Sequence, residues 1–159
     1  LAKIYAESDL LLTETIKSGT LNKLSAPELV SVISSFIYES RGSENFSPKM
    51  PHQNVASALA SITSIWAHLE EIEEDFGVKT QREPDFGFAF ASFKWASGHS
   101  LGHVLKGSDM TVGDFVRNMK QLIDLLTQIS GASDTLRQTC KEAVRKIDRG
   151  VVAYMVGEL

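Results

Sequence analysis

Residues 113–129 read GDFVRNMKQLIDLLTQI, and within them Phe115, Met119, Leu122, Leu126 and Ile129 recur at threes and fours, with Val116 and Ile123 beside them. At about 100° per residue these side chains gather on one side of an α-helix, whereas a strand would scatter them over both faces. The same geometry sets Arg117, Gln121, Asp124 and Gln128 in a narrow row on the opposite side, with Lys120 roughly 60° from Arg117. A helix with one apolar side must bury that side against other elements, so the rest of the chain has to supply them.

Helical period recurs elsewhere. Ile4, Leu11, Leu12 and Ile16 predict a first helix over residues 4–16, with Gly19 where a C-terminal cap belongs. Ser25, Pro27 and Glu28 form a capping-box start for a second helix running to about Glu39. Residues 41–53 collect Gly, Ser, Asn and two prolines and predict an exposed connection. Ala58, Leu59, Ile62, Ile65, Trp66, Leu69 and Ile72 predict one long helix over 55–76, and its acidic end, Glu70 to Asp75, reads as a solvated face.

The stretch PDFGFAFASFKWASGHSL fits either strand alternation or helical period; with no partner strand in view it is read as a helix, capped by Asp85 and ended by Gly98. A short helix around Leu101 to Leu105 follows. Thr111 caps the helix of residues 113–129. Ser133 caps a last one, on which Leu136, Cys140, Val144, Ile147, Val151 and Tyr154 repeat at threes and fours. The expected fold is all-α, a compact bundle of about six helices over residues 1–159 in a single domain.

Sixteen Lys and Arg against 20 Asp and Glu leave a net charge of −4, so the field of the whole domain repels nucleic acid, and any polyanion contact has to be local. The single cysteine, Cys140, excludes an internal disulfide and points to a reducing, cytoplasmic setting. No apolar run approaches the roughly 18 to 20 residues that cross a bilayer, so no membrane partner is expected. The first residues carry neither a secretory pattern nor an initiator methionine, and the chain reads as a piece of a longer one.

Candidate chemistry is sparse. His99 and His103 have the i, i+4 spacing of a metal pair, but Ser100 stands where a zinc hydrolase carries Glu, so packed or surface histidines are the better reading. No histidine has a Glu three residues before it, which removes the di-iron bundle pattern. No nucleophile is expected, since Cys140 falls on an apolar stripe. A phosphate-cradling G-x-x-x-x-G-K-[ST] loop is missing from the sequence. Catalysis by these residues alone is not expected, nor is a bound cofactor or metal.

The segments IYAESDLLLTE, LSAPELVSVISSFIYESR, KWASGHSLGHVL, TVGDFVRNMKQLIDLLTQI and EAVRKIDRGVVA stand in this order along nearly the whole chain. Together they resemble the C-terminal helical domain, DSHCT, of Ski2-like DExH-box RNA helicases, with forms closest to bacterial, actinobacterial-like members. The match is weakest over residues 41–53 and near Lys79.

That resemblance implies a domain without catalysis of its own, packed on RecA-like domains of the same chain that bind ATP and Mg²⁺. It implies that the helix of residues 113–129 is a ratchet touching single-stranded RNA through Arg117, Lys120, Gln121 and Asp124, with Gln128 closing the row. Gln121 stands where eukaryotic relatives carry a basic residue. RNA-decay machinery is the implied wider partner. The alternatives are a helical protein-interaction module and the equivalent domain of a DNA helicase.

Overall fold

Ala26–Ile33 (α2) is apolar nearly all round, and such a helix is stable only inside a core. In the computed structural model, which describes residues 9–39, 52–77, 82–106, 108 and 110–156, seven of its eight residues are buried. Helices α3 (Gln53–Asp75), α4 (Ala89–Ala96), α6 (Val112–Ala132) and α7 (Arg137–Ile147) pack around it. Helix α1 (Asp9–Ser18) leans on α3, the short α5 (Leu101–Leu105) on α4, and α8 (Gly150–Val156) on α6. Among the described residues there are eight α-helices, one 3-10 turn (Ser34–Phe36) and no strand, the all-α bundle the sequence predicts.

The starts of these helices follow from their sequences. Ser25 Oγ accepts the Glu28 N–H while Glu28 Oε1 accepts the Ser25 N–H, which closes the predicted capping box. Thr111 Oγ1 accepts the Asp114 N–H at 3.0 Å and opens α6, and Ser100 does the same for α5 through the His103 N–H. Gly98, at φ +99°, ends α4 in a conformation costly for any residue with a Cβ.

Small polar residues let α2 and α4 approach closely. Buried Ser31 donates to the Ala89 carbonyl at 2.6 Å, and buried Ser92 donates to that of Phe88 at 2.7 Å, so each hydroxyl enters the core with its hydrogen bond made. The aromatic set Tyr38, Phe88, Phe115 and Trp95 then runs through the centre in successive stacked and edge-to-face contacts with centroids 5.2–6.0 Å apart.

Several expectations need correction. Helix two gives way to the 3-10 turn and ends at Phe36, short of Glu39. Asp85 does not cap α4: its Oδ1 takes the Gly87 N–H in a turn before the helix, and Phe88 stands at the N-cap without a side-chain bond. Ser133 ends α6, and its Oγ accepts the Leu136 N–H in the turn leading to α7. The last helix is two, α7 and α8, broken at Asp148 and Arg149. Residues 4–8 of the predicted first helix, and the connection from 41 to 51, lie outside the described residues.

The break has a physical cause in Trp95. Its Nε1–H donates to the Ile147 carbonyl at 2.9 Å, which satisfies an acceptor at the end of α7. Arg149 lays its guanidinium 3.7 Å over the Trp95 ring and donates to the carbonyls of Trp95 and His99. Gly150 then takes φ +55°, and a Cβ there would lie 3.3 Å from the indole.

Candidate functional site

On the core side of α6, Phe115, Val116, Met119, Leu122, Leu126 and Ile129 are buried as the period predicts; Leu125 is buried with them, and Ile123 is half-buried at the edge. Its other side is wet. Arg117, Gln121 and Asp124 are exposed, and Lys120 and Gln128 are half-buried at the margins of the row. From Arg117 to Gln128 the row spans eleven residues, about 16 Å along the helix axis.

All five residues therefore share one face of a single rigid helix, but their chemistry differs along it. Arg117 pairs with Asp114 one turn back. Gln128 Nε2 donates to Asp124 Oδ2 at 3.0 Å, which leaves that carboxylate with further lone pairs. Lys120 and Gln121, in the middle, make no hydrogen bond or ion pair among the described residues. The face thus offers a cation held by a carboxylate, an unpaired cation, an amide able to donate and accept, and an acceptor. Such a set can meet phosphates with Arg and Lys and base edges or hydroxyls with Gln and Asp.

Other candidates fall away on geometry. The His99 and His103 rings stack with centroids 4.5 Å apart and planes 21° apart, an arrangement in which they face each other. Among the described residues no three His, Cys, Asp or Glu come together. Desolvation, with the charges of Lys94, His99 and Lys106, draws His103 below the ordinary histidine value of 6.5.

Residues 98–102 read GHSLG, which does have the G-x-S-x-G spacing of a hydrolase nucleophile, against the expectation that no nucleophile motif is present. That motif works at a sharp turn from a strand into a helix. Here helix α4 precedes it, and Ser100 is the N-cap of α5. Its Oγ accepts the His103 N–H at 3.3 Å, the geometry of a cap. Cys140 is fully buried, and burial pushes its thiol up to about 12. Trp95, a conceivable stacking platform, is 2% exposed and committed to the core.

Sequence reasoning missed Lys141 and Arg145, both exposed on α7 beside the C-terminal half of α6. Their i, i+4 spacing was legible; their place next to α6 depends on how the two helices pack. Among the described residues no helix is long and apolar enough to cross a membrane.

The family model described as the DSHCT (NUC185) domain matches residues 1–155. The chain is 35% identical to the probable helicase HelY of Mycobacterium tuberculosis over 99% of its own length and 19% of that protein. Against HelY of Mycobacterium leprae the identity is also 35%, over 18% of that protein. Against the human exosome RNA helicase MTR4 it is 27%, over 94% of this chain and 15% of that one. The chain therefore spans under a fifth of the length of these relatives. A match over nearly every residue, in a fold with the predicted helices, assigns this chain to the DSHCT (NUC185) domain family.

Proposed function

We propose that this chain is the C-terminal accessory domain of an ATP-dependent RNA helicase, and that the polar face of α6 lines the path of a single strand. The observation that carries this reading is the row on α6: Arg117, Lys120, Gln121, Asp124 and Gln128 look outward over about 16 Å while the opposite side is locked into the core. A rigid helix so anchored can hold a strand at fixed positions and pass its movement to whatever the domain packs against. The similarity to a probable helicase and to an exosome RNA helicase supports a strand as ligand and RNA as its type.

In this reading ATP and Mg²⁺ bind to RecA-like domains elsewhere in a longer cytoplasmic chain, and this domain supplies contacts and no hydrolysis. A net-acidic domain serves well, because the motor domains hold most of the strand and only a local cationic row is needed here. Arg117→Ala with Lys120→Ala in the full helicase should slow unwinding roughly tenfold while leaving the melting temperature of the domain unchanged, the loss expected when two charge-assisted phosphate contacts go. Unwinding at the unaltered rate would count against α6 as the strand-facing element.

A second reading, docking of a protein partner, is favoured by the far end of α3. Ile72 is 40% exposed and Phe76 is 77% exposed there, beyond the part of the helix that the core covers. An RNA-decay partner held at that end would resist high salt and nuclease and be released by Ile72→Ser with Phe76→Ser. Retention by that variant would argue against docking there.

A further inference from the structure

Between α6 and α7 the surface opens into a cleft of about 290 Å³, lined by Leu126, Thr127 and Ser130 on one side and Lys141, Val144 and Arg145 on the other. Its floor is apolar and its rim carries two cations. Lys141 and Arg145 are exposed, sit one turn apart on α7, about 6 Å along the axis, and make no hydrogen bond or ion pair among the described residues. Adjacent like charges on one helix face repel, so an anion set between them relieves a cost that the free domain carries.

The cleft also continues the row on α6. Lys120 and Thr127 are seven residues apart, which brings them within roughly 20° of each other around the helix. The edge of α6 that bears Lys120 is thus the edge that borders the cleft.

We propose that this cleft is a second contact for the single strand, with Lys141 and Arg145 on neighbouring phosphates and the Leu126 and Val144 floor beneath a sugar or base. It rests on the reading of α6 above and carries the strand from Lys120 across the seam onto α7. A nucleic-acid strand suits it better than an acidic peptide because its charges repeat regularly along the backbone, matching cations set at helical intervals on two adjoining helices.

The test compares three double variants of the full protein: Lys141→Ala with Arg145→Ala, Arg117→Ala with Lys120→Ala, and Lys17→Ala with Lys23→Ala. The last removes two exposed cations, one on α1 and one in the turn after it. Binding to oligouridine is measured across a salt titration, with thermal melting to confirm that each variant is folded. Each lost phosphate contact on a single strand lowers the slope of log affinity against log salt by about 0.7, so the cleft variant should lower it by about 1.4 and the α1 variant should leave it unchanged.

An unchanged slope for the cleft variant overturns the cleft, and leaves α6 standing if the α6 variant still lowers the slope. A fall for the cleft variant alone removes α6, and with it the path from Lys120, and so overturns the cleft as a second contact. An equal fall in the α1 variant overturns the cleft, because net charge then explains the effect. Protection of the Lys141 amine from acylation by polyglutamate, but not by oligouridine, also overturns it, in favour of an acidic protein.

Discussion

Glu28 shows how much one side chain can hold together in this fold. Burial works to raise its carboxyl, but the hydrogen bonds it accepts from the Ser25 N–H and from Asn54 outweigh that and hold it below the ordinary value of 4.5. A group with a depressed folded value contributes stability that is present above its ordinary value and is lost as pH falls through the folded one. Chemical denaturation at a series of pH values should therefore show stability draining below about pH 4.5, and Glu28→Gln should flatten that acid limb while leaving the neutral chain weaker. An acid limb as steep in the variant would mean other carboxylates dominate. Ser25→Ala, which removes the other half of the box, should cost about 1 kcal/mol. Cys140, with its thiol at about 12 against an ordinary 9.0, holds roughly a thousandfold less thiolate at neutral pH. Its alkylation should be very slow in the native chain and become fast on unfolding; fast native labelling would contradict the packing of α7. Both residues were legible in the sequence, Glu28 from its spacing to Ser25 and Cys140 from its place on an apolar stripe.

At the scale of elements, long strongly periodic helices were readable and their breaks were not. Helices α3 and α6 match expectation closely because their apolar residues alone impose the period. The break between α7 and α8 was hidden because Val144, Ile147 and Val151 keep the period across it, and Gly150 was the one local sign of a stop. What forces the break is tertiary: Trp95, 52 residues away from Ile147, takes the carbonyl at the end of α7. Trp95→Phe should thus leave that carbonyl unsatisfied and destabilise the chain by about 2 kcal/mol in a denaturant titration. Gly150→Ala, at φ +55° and against the indole, should cost roughly 1–2 kcal/mol. A neutral result for both would mean that the break does not depend on this contact. The cap of α4 failed for a similar reason, since Asp85 spends its carboxylate on the preceding turn.

Over the whole molecule the charge is acidic, yet Lys141 and Arg145 of α7 line a cleft bordered by the edge of α6 that bears Lys120. The row on α6 was visible in one dimension because a single helix carries it. The cleft was not, because it exists only where two helices meet. Family membership, the helical bundle and the anchored α6 all agree with a strand-handling role, and the most direct test of that role is contact. A photoreactive residue placed at Gln121 in the full-length protein, with single-stranded RNA bound, should cross-link to the strand, while one placed at exposed Glu71 on α3 should not. RNA bound at full affinity with no cross-link from Gln121, or with equal cross-linking from Glu71, would contradict the account.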